Sequence, residues 1–189
     1  MMDRSIPWIG LAMRLDSLDR LPESRLPDGY GWRFYRPGDK RLWTEIETSA
    51  GEFERPEDGI AAFERYYPEE DQLPGRMLFL TDGGEPFATA TAWFGDAGPD
   101  DPEGRLHWVS VNKGHQGKGL SRPLVALALQ RMRALGHTSA FLTTQTASWV
   151  AIKVYHQFGF LPLLREAGEV EGWRIVSEKS GIDFMKYIT

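Results

Sequence analysis

A short glycine-rich loop runs directly into a long apolar helix pattern, and this junction constrains the fold more than any other stretch. The segment Gln116–Ser121 reads QGKGLS, and apolar residues recur at helical spacing from Leu120 to Leu135. The first turn of a helix leaves up to four backbone N–H groups unpaired and carries partial positive charge, so it binds anions. Gly117 and Gly119 allow close approach of a phosphate, and Lys118 adds charge. The junction therefore predicts a phosphate-binding loop.

Two common nucleotide-binding motifs do not fit this loop. In the pattern G-x-x-x-x-G-K-[ST], the residue after the lysine is a magnesium ligand, but Gly119 follows Lys118 here. The dinucleotide pattern G-x-G-x-x-G fails on its spacing. A strand-to-helix turn that needs glycine only for its geometry remains the alternative at this point.

The order of predicted elements indicates a mixed α/β sheet. Alternating or apolar runs predict a first core strand at 30–36, a hairpin about Asp82–Gly84, and strands at 104–111 and 139–145. Helical spacing predicts helices at 37–51, 56–67, 120–135 and 148–158. Strand, helix, strand in succession implies a parallel pair with a crossover. The pattern of the tail, 172–188, predicts two more strands. Residues 29–189 are expected to form a single domain, with residues 1–28 as an N-terminal arm packed on it.

Composition places the chain of 189 residues among soluble globular proteins, with 41% hydrophobic and 26% charged residues. There is no apolar run of membrane-spanning length and no secretory pattern at the start, so we expect a cytoplasmic protein without a membrane segment. The absence of cysteine excludes disulfides, a thiol nucleophile and cysteine metal sites. The histidines His115, His137 and His156 lack ligand spacing, so no metal is expected.

Charge is distributed unevenly along the chain. The net charge of −5 argues against a nucleic-acid partner. Between Glu45 and Asp71, ten acids face only Arg55 and Arg65, so this stretch carries −8 and the remainder +3. Aromatic residues are interleaved with it: Trp43, Phe53, Phe63, Tyr66 and Tyr67. Such a region either attracts a cationic amine and surrounds it with aromatic rings, or forms two solvated amphipathic helices.

Two motifs in the second half of the chain resemble one family. The loop matches Q/R-x-x-G-x-G/A through Gln116, Gly119 and Ser121, with Ser121 in place of the last small residue. The pattern N-x-x-A-x-x-x-Y-x-x-x-G-F is matched by Ala151, Tyr155, Gly159 and Phe160, with Ser148 where Asn is usual. The chain thus resembles the GCN5-related N-acetyltransferase (GNAT) superfamily, closely over 104–164 and elsewhere by its order of elements.

This resemblance implies the acyl-CoA acyltransferase fold, a twisted, mixed and mostly antiparallel sheet with splayed parallel central strands, flanked by helices. It implies acetyl-CoA as co-substrate, with its pantetheine arm between the splayed strands. The backbone of Val109, Ser110 and Val111 would align that arm. The pyrophosphate would lie on Gln116, Gly117, Lys118, Gly119, Leu120 and Ser121, and Ser148 and Tyr155 would complete the cofactor site.

Acetyl transfer to an amine needs a donor for the leaving thiolate, hydrogen bonds that stabilise the tetrahedral oxyanion, and an amine in its neutral form. Tyr155 is the candidate that hydrogen-bonds or protonates the thiolate. Its alternative is core packing, because Ala151, Val154, Tyr155 and Phe158 form one helical stripe. A backbone N–H at a bulge near Val109 or Val111 would stabilise the oxyanion.

The general base is the least determined part of the site. His107 alternates with Val109 on its strand, and Glu47 lies on the first helix. The alternative roles are a structural histidine and a solvated glutamate. Thr144 and Gln145 follow at the carboxyl end of the next strand. Either they contact the acceptor or the cofactor there, or they are ordinary strand and cap residues.

The resemblance and the residues together predict an acetyl-CoA-dependent N-acetyltransferase that acts on a small-molecule amine by direct transfer in a ternary complex, as a monomer or homodimer. An enzyme that uses a longer acyl-CoA is a close alternative. The others are a non-catalytic acyl-CoA-binding or sensor module and a protein-lysine or N-terminal acetyltransferase.

Overall fold

The computed structural model describes residues 2–188 as one mixed sheet with helices on both faces. The strands are β1 (Gly10–Leu15), β2 (Tyr30–Phe34), β3 (Met77–Asp82), β4 (Glu85–Trp93), β5 (Glu103–Val111), β6 (Ser139–Gln145) and β7 (Leu161–Pro162). The helices are α1 (Lys40–Ala50), α2 (Pro56–Tyr66), α3 (Ser121–Ala134), α4 (Trp149–Gln157) and α5 (Glu169–Ser180). Short 3-10 turns lie at Glu70–Gln72, Lys113–His115, Thr146–Ser148 and Met185–Tyr187.

The sheet has seven strands in the order β2-β3-β4-β5-β6-β1-β7. Every neighbouring pair is antiparallel except β5 and β6, which confirms the predicted fold class. The parallel pairing joins only Glu103–Arg105 to Ser139–Phe141. Because pairing ends there, the later parts of β5 and β6 separate and leave a cleft between them.

Each face of the sheet carries its own core. On one face α3, α4 and α5 cover a large aliphatic cluster that includes Leu80, Leu124 and Leu142. On the other face α1 and α2 cover an aromatic cluster centred on Trp43, which is fully buried against Phe63. Burying an aromatic side chain of this size stabilises a domain by several kcal/mol, so α1 and α2 are held firmly beside β5.

The structure differs from the sequence prediction in the N-terminal part of the chain. Residues 1–28 were expected to pack on the body as an arm, but Gly10–Leu15 form β1 inside the sheet, paired with both β6 and β7. Leu11, Ala12 and Met13 are all buried because neighbours cover both faces of the strand. A strand buried on both faces shows no alternation of apolar and polar residues, so it gave no signal.

The prediction of two strands in the tail is wrong. Glu169–Ser180 form helix α5, and the segment after it ends in a 3-10 turn. Ile175 and Val176 favour strands by propensity, but Trp173, Val176 and Ser180 fall on one buried helical face. Packing of that face against β1 and α4 outweighs the weak strand preference.

The other predicted elements are present with shifted ends. The hairpin turns at Gly83-Gly84, between β3 and β4. The strand that was expected to be the first core strand is β2, and it lies at the edge of the sheet. Among the described residues, no helix is both long and apolar enough to cross a membrane.

Candidate active site

A cleft with two connected lobes lies where β5 and β6 separate. The helix lobe, with about 590 Å³ of empty space, is bounded by α3 and α4 and reaches Gln116 and Ser121. The sheet lobe, about 870 Å³, lies over β5 and β6 and includes His107 and Thr143. Six residues line both lobes: Glu52, Val109, Ser110, Ser148, Ala151 and Tyr155.

The predicted phosphate loop lies at the outer end of the helix lobe. Gly117 and Gly119 have φ values of 77° and 75°, and a Cβ at either position would meet no atom within 4 Å. The side-chain amide of Gln116 donates to the carbonyl of Val111 at 2.9 Å, which ties the loop to the end of β5. Leu120 precedes α3, and no side chain of the described residues caps the first turn of this helix. Its N–H groups are therefore directed at open space, next to the exposed Lys118.

A β-bulge interrupts β5 at the wall of the cleft. Thr89 pairs with Ser110 and Thr91 with His107, so β5 has one more residue than β4 between these pairs. The extra residue places Trp108 at φ 48°, a left-handed conformation that bulky residues rarely adopt. The bulge turns Val109 and Ser110 toward both lobes.

Tyr155 is both a packing residue and a residue of the cleft. Its ring is 7% exposed and belongs to the aliphatic core cluster, yet it lines both lobes. Burial raises the pKa of its hydroxyl, and the neighbouring acids Glu52 and Glu47 raise it further. The phenol is therefore fully protonated at neutral pH.

Glu47, a predicted base, has no exposed surface. Its Oε2 accepts a hydrogen bond from Ser110 Oγ at 2.6 Å, while its buried Oε1 has no partner among the described residues. Burial raises its pKa well above the ordinary value, against the opposing effect of the Ser110 hydrogen bond. Glu47 reaches the cleft only through Ser110.

His107, the other predicted base, lies on the wall of the sheet lobe. Its ring packs edge-on against Tyr66 and Tyr67, with centroids 5.4 and 5.8 Å away, and its buried Nδ1 has no partner in the described part of the chain. Burial lowers its pKa to about 3, and the positive charge of Arg105 acts in the same direction. The imidazole is neutral at pH 7 and a weak base.

Glu52 is a cleft residue that nothing in the sequence distinguished from the nine other acids of its stretch. It lies two residues beyond the end of α1 and lines both lobes. Its carboxylate is accessible from the cleft, but the surrounding walls displace much of its water, and this desolvation raises its pKa.

The N-terminal segment also contributes to the cleft, again without a sequence signal. The backbone N–H of Asp3 donates to Ala147 at 2.7 Å, and the N–H of Thr146 donates to Ile9 at 3.0 Å. These bonds fix the segment across the end of β6. Met2 thereby reaches the helix lobe and Trp8 the sheet lobe.

Comparison with known proteins agrees with this geometry. Residues 41–160 match the model of the Acetyltransferase (GNAT) family, which is more than half of the chain and includes the loop, the bulge and Tyr155. The chain belongs to the GNAT family.

Curated relatives of this GNAT chain are longer proteins. The mycothiol acetyltransferase of Geodermatophilus obscurus is 27% identical over 179 residues, which cover 91% of this chain and 56% of that protein. The protein of the same name from Thermomonospora curvata is 29% identical, with coverage of 74% and 47%. The chain therefore spans about half the length of the curated relatives it matches.

Solved structures support the GNAT fold. The GCN5-related N-acetyltransferase from Sphaerobacter thermophilus superposes with a TM-score of 0.67 at 21% identity, over 82% of this chain and 48% of that one. The yncA protein of Salmonella typhimurium, determined with its cofactor acetyl-CoA, gives a TM-score of 0.53 at 23% identity, over 70% and 79%. At these identities the likeness shows the fold alone.

The acidic and aromatic stretch of this GNAT chain forms two amphipathic helices and their connections, with most of the acids exposed and the largest aromatic rings buried. Trp43, Phe63 and Tyr67 are buried, whereas Glu52 and Tyr66 of the stretch line the sheet lobe. Thr144 and Gln145 also line that lobe. Within residues 2–188, no group of three or more His, Asp or Glu side chains is arranged to hold a metal ion.

Proposed function

We propose that the chain is an acetyl-CoA-dependent N-acetyltransferase that transfers an acetyl group directly to the amine of a small molecule in a ternary complex. The observation that carries this proposal is the continuity of the cleft. It runs from the uncapped first turn of α3, along the bulged edge of β5, to Tyr155.

The residues present fit a CoA group. The open space beside Gly117 and Gly119 admits a pyrophosphate against the backbone. Lys118 supplies a formal positive charge, and Val109–Val111 and Ser148 border the path of a pantetheine arm. When bound, acetyl-CoA supplies the acetyl group as an activated thioester.

Tyr155 is proposed to donate its hydroxyl proton, or a hydrogen bond, to the leaving thiolate. Its raised pKa keeps the proton on the phenol in the resting state, so a donor is always available. The bulge at Trp108 frees backbone donors near Val109, and these are proposed to hydrogen-bond the carbonyl oxygen as it gains negative charge.

Deprotonation of the acceptor is assigned to Glu52 rather than to the two predicted bases. An alkylamine with a pKa of about 10.4 costs about 4 to 5 kcal/mol to deprotonate at pH 7. Glu52 lines both lobes, and its raised pKa makes it a stronger base than an ordinary carboxylate. His107 is too weak a base, and Glu47 is proposed to position Ser110 instead.

A small-molecule acceptor is the first class to test, since mycothiol, named in the curated relatives, is a small molecule. The sheet lobe, about 870 Å³ and lined by Tyr66 and Thr143–Gln145, also has the size of a small-molecule site. A protein-lysine or N-terminal acetyltransferase is the alternative. A cytoplasmic location, and a monomeric or homodimeric state, are part of the same proposal.

The experiment is an acceptor screen in which a thiol-reactive dye reports CoA release. The chain has no cysteine, so the dye detects only released CoA. Release that depends on a small amine, and is faster with acetyl-CoA than with longer acyl-CoA, is expected. Binding of CoA without release on any amine would instead support a sensor module. Release only with a lysine peptide would identify a protein-modifying enzyme.

A further inference from the structure

The Arg105 guanidinium lines the edge of the sheet lobe. Its Nη2 donates to Thr143 Oγ1 at 3.1 Å, but its buried Nε has no hydrogen-bond partner within residues 2–188. No Asp or Glu oxygen of the described residues lies within 4 Å of it, whereas such a contact is present for six other arginines: Arg14, Arg33, Arg41, Arg55, Arg165 and Arg174. A desolvated guanidinium N–H without an acceptor is unfavourable, and a bound anion would satisfy it.

The strand register shows which way this side chain extends. Arg105 lies opposite Phe141 in the parallel pair of β5 and β6. Thr143 is two residues further along β6, beyond the end of the pairing. The bond from Arg105 to Thr143 therefore carries the guanidinium forward along the strands, into the part of the cleft where the acceptor is proposed to bind.

A second guanidinium approaches the same aromatic ring. The Cζ atoms of Arg105 and Arg165 lie 5.5 and 5.1 Å from the centre of the Phe141 ring. Arg165 has one carboxylate contact, with Asp96 at 3.8 Å, a long distance between two side chains that both retain solvent. Two cations beside one ring create a local positive potential that favours an anion.

We propose that Arg105 binds an anionic oxygen group of the acceptor, a carboxylate or a phosphate, and that Arg165 strengthens the positive potential there. The acceptor is then an amine that carries a negative charge at its other end. This inference rests on the proposed acetyl transfer and names the substrate class for it. The two ends of the cleft carry complementary charges, because Glu52 faces the amine and Arg105 the anion.

The distance along β5 between the two proposed binding positions restricts the class of acceptor further. The guanidinium that reaches Thr143 extends about two residues ahead of Arg105, and from there to the bulge at Val109 and Ser110 is two or three residues of strand, or about 7 to 10 Å. In an α-amino acid the nitrogen and the carboxyl group share one carbon, so it is too short for this span. An ω-amino acid, an aminoalkyl phosphate or a short peptide fits it.

The test compares kcat/KM for three acceptors of equal chain length: an ω-aminohexanoate, its neutral amide and an aminopentyl phosphate. With wild-type protein, we expect the charged acceptors to exceed the amide by roughly tenfold to a hundredfold, as a charged hydrogen bond predicts. Arg105→Gln should abolish this preference, mainly by raising KM for the charged acceptors. Its kcat/KM for the neutral amide should stay within about threefold of the wild-type value. Arg105→Lys should retain part of it, and Arg165→Gln should reduce it.

Arg133→Gln, on the outer surface of α3, is the matched control and should keep the full preference. Equal kcat/KM for the amide and both charged acceptors would overturn the inference while leaving acetyl transfer intact. An equal loss for all acceptors in Arg105→Gln would show a structural role for this arginine and also overturn it. Absence of turnover with every amine would contradict the proposed function itself. Comparison of kcat/KM for the ω-aminohexanoate and the aminopentyl phosphate shows whether the site prefers a carboxylate or a phosphate.

Discussion

Tyr155 lines both lobes of the cleft and also belongs to the core that α4 covers. The ring packs in the aliphatic cluster and the residue also borders the cleft, while its role at the leaving thiolate stays a prediction. The family motif located this residue from the sequence. Glu52 and Arg105 lack any such motif, and the roles proposed for them depend on side chains that the fold brings beside them.

Replacing Tyr155 by Phe should lower kcat by about 10²- to 10⁴-fold, because the leaving thiolate loses its donor. The KM for acetyl-CoA should change only a few-fold, since the ring and its packing remain. Steady-state kinetics over a range of acetyl-CoA concentrations measures both. Tyr30→Phe, outside the cleft, is the control and should leave kcat unchanged; equal kcat for Tyr155→Phe and wild type would exclude the proposed role.

Glu47 predicts a pH-dependent stability difference. Because burial raises its pKa in the folded state, the folded protein binds this proton more tightly than the unfolded chain does. The resulting stabilisation is complete below the ordinary value of 4.5 and is lost as the pH rises through the folded-state pKa. Glu47→Gln cannot lose a proton, so its stability relative to wild type should increase as the pH rises from about 4.5.

Chemical denaturation of both proteins at several pH values tests this difference. Glu45→Gln, on the exposed face of the same helix, is the matched control, and its stability should stay within about 1 kcal/mol of wild type throughout. A stability difference between Glu47→Gln and wild type that does not vary between pH 4 and pH 8 would contradict the assigned burial effect.

At the scale of elements, the loop before α3 and the bulge in β5 determine where a ligand can bind. The loop was predictable, because its glycines, its lysine and the following helix pattern are local features. The bulge was expected near Val109 only from the family resemblance, since an extra residue in a strand is defined by its pairing with β4. β1 and α5 were missed because tertiary burial, rather than local pattern, determines them.

Substitution of Gly119 separates charge from backbone strain in the loop. Asn and Asp tolerate a φ near 75° equally well, and both have open space there. Gly119→Asp should weaken CoA binding by about tenfold to a hundredfold, because its carboxylate repels the pyrophosphate. Gly119→Asn should weaken binding only a few-fold. Calorimetric titration measures both affinities, and equal affinities for Asp and Asn variants would exclude phosphate contact at this position.

At the scale of the whole molecule, one topological feature organises the site. β5 and β6 pair for three residues and then separate, and each side chain assigned a role lies beside that separation or is connected to it. The order of elements in the sequence predicted a parallel pair with a crossover, whereas the length of the pairing was not readable from either strand alone. The contribution of the N-terminal segment to the cleft was equally hidden, because it depends on contacts with the distant end of β6.

The most direct test of this account is a crystal structure of the protein with acetyl-CoA. We predict pyrophosphate oxygens within hydrogen-bond distance of the backbone N–H groups of Gly117–Ser121, a pantetheine arm between β5 and β6, and the thioester sulfur beside Tyr155. Acetyl-CoA bound at another surface, with the cleft occupied by the protein's own side chains, would contradict the account.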